Sequence, residues 1–254
     1  MPEIVLDIQR AIELHESGRG DKLHGGFHSN VLKAMVYGAN DGIITTFAVV
    51  VGVAGAGLSP SIILILGVAN LVADGLAMGI GDYLGERSEQ RYMHYQYQIE
   101  QWEIKNIARH EAIELTEYFR ARGVSESDTK SVTEIIQKYP KLWAEIGFID
   151  EMGAAPSTDK NIWHTGVATF GAFVGAGFLP LLPYFLHTMG LSFPLRYEFL
   201  FSVIATAGAL FVIGSARTRM TKGTWWKNGL EMLSIGAIAA VAAYISGAII
   251  KKLI

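Results

Sequence analysis

Residues 37–57 read YGANDGIITTFAVVVGVAGAG, and this stretch decides the fold class. A helix needs about 20 mainly apolar residues to cross the hydrocarbon core of a bilayer. The only charged residue within the stretch is Asp41. The stretch therefore predicts a transmembrane helix, which we place from about Ala34 to Leu58.

Four further segments of similar length and composition follow along the chain. They run from about Ser61 to Leu84, Ile162 to Leu182, Tyr197 to Ala216 and Asn228 to Ile250. Ser59-Pro60 is typical of an N-cap followed by a first-turn proline, and it predicts a tight hairpin between the first two spans. We therefore expect an all-α membrane protein with five transmembrane helices.

The composition supports a membrane protein and excludes other classes. Half of the 254 residues are hydrophobic and 18% are charged, against about 25% charged in soluble domains. The chain contains no cysteine, which excludes disulfide scaffolds, thiolate zinc sites and iron–sulfur clusters. A net charge of −3 argues against nucleic acid as a partner. Walker, nucleophile-elbow and Rossmann motifs are absent from the sequence, so we do not expect an ATP-driven pump.

Positive charge predicts the orientation of the chain. Of the 21 Lys and Arg residues, all but Arg196, Lys251 and Lys252 fall before span one, between spans two and three, or between spans four and five. Positively charged loops stay in the cytoplasm. The N-terminus is therefore expected inside and the C-terminus outside or in the lumen, in a cell membrane or the membrane of an acidic organelle.

These boundaries predict four regions. Residues 1–30 form an arm in which Ile4, Ile8 and Ile12 predict either an amphipathic helix at the membrane surface or a packing arm. The other regions are residues 31–86 with spans one and two, residues 87–160 as a cytoplasmic acidic helical insert, and residues 161–254 with spans three to five. In the insert we expect a helix continuing from span two past Tyr97, and helices at about Glu126–Tyr139 and Leu142–Met152.

Acidic side chains within the spans are the first candidate site. An aspartate at the centre of a membrane helix costs about 2.5–3.5 kcal/mol on insertion scales, so it usually has a function. Asp41 lies in span one, and Asn70, Asp74, Met78 and Asp82 follow at four-residue intervals on one face of span two. Carboxylates, an amide and a thioether on facing helices can hold a divalent transition metal. The alternatives are hydrogen bonds between helices and a proton path, and we expect Asp82 to be an interfacial charge.

Glutamates of the insert are the second candidate site. Two Glu-x-x-Glu pairs are formed by Glu100, Glu103, Glu111 and Glu114. On one straight helix these carboxylates share an arc of about 80° and repel one another unless a cation neutralises them. A hairpin near Asn106 would instead bring the two pairs face to face, and the pattern is also common on solvated surfaces. Three residues near the end of the insert are either further ligands or simply exposed: Asp150, Glu151 and Met152.

Histidine and glycine positions complete the pattern. The seven histidines show no metal-ligand spacing, so we expect interfacial or structural roles for them. Small residues at four-residue intervals predict close helix packing or a dimer seam beside Asp41. These residues are Ala34, Gly38 and Gly42 in span one and the pairs Gly75/Gly79 and Gly81/Gly85 in span two.

Three stretches of the chain resemble the vacuolar iron transporter family. They are residues 37–57, residues 69–85 (ANLVADGLAMGIGDYLG) and residues 223–247 (GTWWKNGLEMLSIGAIAAVAAYISG). The resemblance runs from about His28 to the C-terminus and includes the insert. Its ANDG and MGxGxYL motifs are fairly specific, whereas the match in span five is weaker by itself.

The resemblance implies a five-span homodimer that exchanges Fe²⁺, and often Mn²⁺, for protons without a prosthetic group. It implies a pathway at the dimer interface, lined by spans one and two, that takes metal out of the cytosol. By position, Asp41 would bind metal and couple it to protons, and Met78 would be a thioether ligand. The residues of a cytoplasmic metal-binding domain would be Glu100, Glu103, Glu111, Glu114 and Glu151.

Two positions depart from the family pattern. Asn70 stands where some members have glutamate, and we expect Asp74, one turn further on, to supply the missing carboxylate. Gly147 stands where a methionine of the metal-binding domain is expected, and Met152 either compensates or does not. The metal coordination and the Fe²⁺/Mn²⁺ preference are therefore left open, while the transport class is unaffected.

Together these observations favour a proton-coupled exporter of divalent metal. A carboxylate holds either a proton or a share of a cation, so an acidic outer side drives release of the metal. The alternative is a membrane-anchored metal sensor or buffer that uses the insert without transport. An enzyme is disfavoured because Glu111 and Glu114 lack the Glu-x-x-His spacing of carboxylate di-metal oxidases.

Overall fold

The computed structural model describes residues 26–155, 162–190, 195–218 and 223–253, and every regular element in these ranges is a helix. Five helical stretches are long and apolar enough to cross a membrane. They are Val31–Ala56, Pro60–Asn106, Trp163–Thr188, Tyr197–Ala216 and Trp225–Leu253. The expected all-α, five-span architecture is therefore confirmed. The amphipathic helix expected around Ile8 lies outside the described residues.

The helices are numbered in chain order within the described ranges. They are α1 (Gly26–Ala56), α2 (Pro60–Asn106), α3 (Ala108–Ala121), α4 (Glu126–Ile136), α5 (Pro140–Met152), α6 (Trp163–Gly177), α7 (Leu182–Thr188), α8 (Leu195–Ala216) and α9 (Trp225–Leu253). A 3₁₀ turn, Leu179–Leu181, separates α6 from α7.

The hairpin between α1 and α2 lies where Ser59-Pro60 predicts it. Gly57 adopts a left-handed conformation with φ of 68°, which glycine tolerates without steric cost. Its backbone N–H donates to the carbonyl of Ala54 at 3.0 Å. The second helix then begins at Pro60, where the missing N–H of proline leaves no hydrogen bond unmade.

The third span differs from the continuous helix expected over Ile162–Leu182. Helix α6 ends at Gly177, and the chain passes through the 3₁₀ turn into the short helix α7. Pro180 and Pro183 lie in the first turns of these two elements. Because proline has no N–H and clashes with the preceding helical turn, it ends the first helix and starts the next.

The chain divides into two compact units. The membrane unit comprises Met1–Tyr83 and Trp163–Ile254, and the insert unit comprises Leu84–Ile162. Helix α2 has 47 residues, whereas about 20 suffice to cross a bilayer. Its apolar first half belongs to the membrane unit and its polar second half to the insert unit.

Helix α1 is the packing centre of the membrane unit. Its residues Ile43, Thr46 and Val50 have no exposed surface. A Cβ atom on Gly38 or Gly42 would collide with backbone carbonyls of α6. The predicted small-residue ladder therefore forms a helix–helix seam within the chain, where the absence of side chains lets two backbones approach.

The other membrane helices use glycine in the same way. Gly55 of α1 faces the carbonyl of Tyr244 in α9, and Gly229 of α9 faces the ring of Phe211 in α8. Gly79 of α2 faces Gly166 of α6, where a Cβ would lie 2.8 Å from the Gly166 carbonyl oxygen. Close packing of this kind replaces the hydrophobic driving force that is weak between helices in lipid.

The insert unit has a hydrophobic core of its own. Helices α2 to α5 contribute to a cluster of Ile104, Leu115, Ile136, Trp143 and Ala144. The two later helices differ in their ends from the expected Glu126–Tyr139 and Leu142–Met152. A residue before proline is biased away from helical geometry, so α4 ends at Ile136 and α5 begins at Pro140 itself.

Candidate functional site

A small acidic cavity lies within the insert unit. Its volume is about 30 Å³, and roughly 10–15 Å³ suffices for one water molecule. Its carboxylate lining consists of Glu100, Glu111, Glu114, Asp150 and Glu151. Four of the five glutamates proposed as metal ligands therefore border one space, although they come from three different helices.

A break in the helix brings the two Glu-x-x-Glu pairs onto separate elements. Helix α2 ends at Asn106, and Ile107 has φ of −125° and ψ of 30°, outside the helical range. Helix α3 starts at Ala108, with Glu111 in its first turn. The sequence left open a straight helix or a hairpin, and the structure excludes the straight helix.

Glu100 is the most enclosed of these carboxylates. Its side chain is 2% exposed, and its Oε1 atom has no hydrogen-bond partner. It lies on the face of α2 that packs against α5, between Tyr97 and Ile104. The Tyr97 ring meets Phe148 of α5 edge-to-face at a centroid distance of 5.7 Å. Contacts on either side therefore hold the Glu100 backbone against α5.

Burial and mutual repulsion favour the protonated forms of the cavity carboxyls. The pKa of Glu100 is raised to about 8, first by burial and then by the charges of Glu111 and Glu151. The pKa of Glu111 is raised to about 7, by burial and then by Glu114 and Glu103. Burial and the charge of Glu103 also raise the pKa of Glu151. Glu103 thus acts electrostatically on the group although it does not line the cavity.

Asp150 and Met152, left open by the sequence, are placed differently. The Asp150 carboxylate accepts a hydrogen bond from Arg122 at 3.0 Å, and its side chain is 46% exposed. The Arg122 guanidinium also lies 3.5 Å from the centre of the Tyr118 ring. Asp150 is therefore a paired residue at the cavity rim. Met152 does not contribute to the lining.

The donor atoms do not converge on a point. Among the described residues, no three His, Asp or Glu side chains lie close enough together to hold a metal ion as they stand. Binding of an ion would therefore require side chains that border the cavity to turn into it.

The membrane unit brings the two predicted aspartates together. Asp41 of α1 and Asp74 of α2 are both half-buried, and their helices meet at α6. Gly177 of α6 explains this, because a Cβ there would lie 2.7 Å from the Gly42 carbonyl and 2.6 Å from a Leu71 methyl. Gly177 thus contacts α1 at the residue next to Asp41 and α2 about one turn before Asp74.

The remaining residues of the span-two stripe have mixed environments. Asn70 has a buried Nδ2 without a hydrogen-bond partner. Met78 packs against the core around Phe47 and Phe173, so packing accounts for part of its role. Asp82 accepts a hydrogen bond from Thr169 of α6 at 2.9 Å. The interpretation of Asp82 as a simple interfacial charge was therefore incomplete, since it also ties two helices together.

Sequence reasoning missed a buried acidic residue in the membrane unit. Glu198, in the first turn of α8, is 1% exposed. Its Oε1 lies 2.8 Å from Nδ1 of His187 near the end of α7, a contact of two buried atoms whose geometry is not that of a hydrogen bond. His187 lies in the predicted connection between spans three and four and Glu198 at the start of span four, so no spacing rule links them. The only signal was a lone carboxylate at the start of an apolar span.

Known proteins match the chain over most of its length. A family model described as the VIT family matches residues 32–248. A protein of Toxoplasma gondii named "Vacuolar iron transporter" is 30% identical over 250 residues, which are 96% of this chain and 83% of that protein. "Vacuolar iron transporter 1" of Arabidopsis thaliana is 31% identical over 216 residues, 84% of each chain. A "Vacuolar iron transporter" of Plasmodium falciparum is 28% identical over 97% of this chain and 93% of its own.

Proposed function

We propose that this chain, which belongs to the VIT family, moves Fe²⁺ and Mn²⁺ out of the cytosol across a membrane in exchange for protons. The relatives named as iron transporters support transport of metal, and the chain covers most of their length. The five membrane-length helices agree with a multi-pass protein. The family is one of transporters and not of enzymes.

The two aspartates of the membrane unit carry this proposal. Asp41 and Asp74 are half-buried on two helices of membrane-crossing length that meet at Gly177 of α6. Two negative charges in such a place are unfavourable unless protons or a cation neutralise them. A pair of this kind holds either protons or a divalent ion, which is the competition that a metal–proton exchanger needs. A membrane anchor has no use for it.

The insert unit would collect the ions. Glu100, Glu111, Glu114 and Glu151 border its cavity, and Glu103 adds to the negative potential there. Carboxylate oxygens bind Mn²⁺ and Fe²⁺ more readily than they bind soft metals such as Cu⁺. Carboxyls with raised pKa values give up protons when the ion binds, so collection of metal is itself linked to pH.

We further propose a homodimer formed through α1 and α2, with the insert in the cytoplasm. Helix α2 presents an outward row of apolar side chains at four-residue intervals, Val68, Val72, Leu76 and Ile80, and all four are largely exposed. A Cβ atom added to Gly81 would meet no atom of the described residues within 4 Å. A row of exposed apolar residues along one helix offers a surface on which a second copy of the helix can pack.

Transport by reconstituted protein tests the proposal. Vesicles with an acidic lumen should accumulate Fe²⁺ and Mn²⁺, and an ionophore that collapses the pH gradient should abolish the accumulation. Asp41→Ala should remove uptake. Asp128→Asn, at an exposed position in the first turn of α4, should retain it.

The outcomes separate the proposal from its rival. Metal uptake that is equal with and without the pH gradient would refute proton coupling but not metal transport. If vesicles with and without the protein accumulate equal metal while the purified protein binds Mn²⁺, the chain is a membrane-anchored sensor or buffer. Comparison of Co²⁺ and Zn²⁺ in the same assay defines the metal preference.

A further inference from the structure

We propose that Gly147 is a positioning residue of the acidic cavity, because only the absence of a side chain there lets the Glu100 carboxylate lie against α5. This inference rests on the proposed function, since it concerns the metal that the insert unit collects. It assigns a role to a residue that offers no ligand of its own.

The geometry makes residue 147 and the Glu100 carboxylate competitors for one space. A Cβ atom on residue 147 would overlap Oε1 of Glu100 and lie 2.7 Å from its Cδ and 3.4 Å from Oε2. Distances under 3.0 Å are essentially never found for a real Cβ atom. One of the two groups must therefore move when residue 147 carries a side chain.

The helices themselves are held in place on both sides of this contact. Ala144 and Phe148 of α5, fully buried on the face that includes Gly147, pack in the cores that involve Ile104 and Tyr97 of α2. Separating the two backbones would open these contacts. The flexible end of the Glu100 side chain is the part that gives way, so a substitution at 147 displaces the carboxylate more readily than it unfolds the unit.

The Glu100 carboxylate, which such a substitution displaces, is also the group that indicates a binding site. Oε1 of Glu100 is buried and lacks a hydrogen-bond partner, and the residue lines the cavity with Glu111, Glu114 and Glu151. Histidine and methionine are absent from the lining, so an ion in this cavity is bound by oxygen atoms. Mn²⁺ prefers oxygen ligands and therefore serves as the probe.

Mn²⁺ binding to the full chain tests the inference. Asp41→Asn is introduced in every sample so that the span-one carboxylate does not contribute, and the loss of the electron paramagnetic resonance signal of free Mn²⁺ reports binding. Gly147→Ala should weaken binding by about tenfold or more, the usual effect of disturbing a residue that orients a ligand. Gly208→Ala, at a helical glycine of α8 where an added methyl group would meet no atom within 4 Å, should have no effect.

A double-mutant cycle shows whether Gly147 acts through Glu100. Glu100→Ala removes both the carboxylate and the clash, so adding Gly147→Ala should cause no further loss. Equal losses in both backgrounds, or unchanged binding in Gly147→Ala, would overturn the inference. If the chain with native Gly147 and Glu100 binds no Mn²⁺, the proposed role of the insert fails, which is a different result.

Discussion

Nδ1 of His187 lies 2.8 Å from Oε1 of Glu198, so a residue near the end of α7 is tied to the first turn of α8. The carboxylate is 1% exposed, whereas the histidine side chain is 40% exposed. The two facing atoms, Nδ1 and Oε1, are both buried, so the exposed part of the histidine is the other side of its ring. Nearby, the Ser202 hydroxyl donates to the Pro180 carbonyl at 2.7 Å, a second polar link between α8 and the preceding turn.

Removal of the histidine should destabilise the membrane unit. His187→Ala leaves the Glu198 carboxylate buried without its partner, which costs about 1–3 kcal/mol. Thermal unfolding in detergent should show a lower midpoint for this variant. His110→Ala, at an exposed position on α3, should leave the midpoint unchanged. Equal midpoints for the two variants would mean that the pair does not contribute to stability.

The insert should lose stability as the pH rises. The pKa of Glu100 is raised from 4.5 to about 8 in the folded chain, so the folded state binds more protons than the unfolded state between these values. The free energy of unfolding then falls with pH across that window. Glu111, with a pKa raised to about 7, acts in the same direction.

Substitution of Glu100 isolates its share of this effect. Glu100→Gln removes the titrating group, so the fall in stability between about pH 5 and pH 8 should be smaller than in the native chain. Chemical unfolding followed by tryptophan fluorescence measures it, since Trp143 is buried in the insert core. Glu134→Gln, at an exposed site on α4, is the control. A native pH dependence in the Glu100 variant would contradict the prediction.

A single methyl group should disturb the seam between α1 and α6. A Cβ on Gly42 would collide with the Phe173 carbonyl, and overpacking of this kind costs about 1–3 kcal/mol. Gly42→Ala should therefore lower the thermal midpoint. Gly171→Ala on α6 adds the same methyl where no atom lies within 4 Å. A loss of stability in the second variant equal to the first would show that the helical glycines act through something other than packing.

The dimer proposal can be tested by cross-linking because the chain has no cysteine. Leu76 lies on the outward row of α2 and is 46% exposed, and Ile245 on α9 is 51% exposed. Leu76→Cys should form a disulfide-linked dimer under oxidation in membranes, since a two-fold interface brings the same patch of both copies together. Ile245→Cys should not. Cross-linking of both variants alike would argue against an α2 interface.

Much of the fold could be predicted from local patterns. Hydropathy located five spans, and Ser59-Pro60 located the first hairpin, because proline acts through its own backbone geometry. The break at Ile107 could be offered only as one of two alternatives, a hairpin near Asn106 or a straight helix, since neither glycine nor proline lies beside it. It is a tertiary feature, and α2 and α3 contribute to one core across it.

The candidate sites could be predicted only where the residues lie on one helix. The periodicity of a helix places Asp74 and Met78 on one face, and it pairs Glu100 with Glu103 along the chain. It does not reveal which carboxylates meet across helices, so the contact of Glu100 with Gly147 and the pairing of Glu198 with His187 emerged only from the packing of distant segments.

The glycine seams around α1 limit how this protein can change shape. Its backbone meets the carbonyls of α6 on one side and of α9 on another, with no side chains in between to slide or rotate. A movement of α1 would have to separate backbones that fit by shape alone. Under the proposed transport function, exposure of Asp41 to each side of the membrane in turn therefore costs least when α1, α6 and α9 move together as one body.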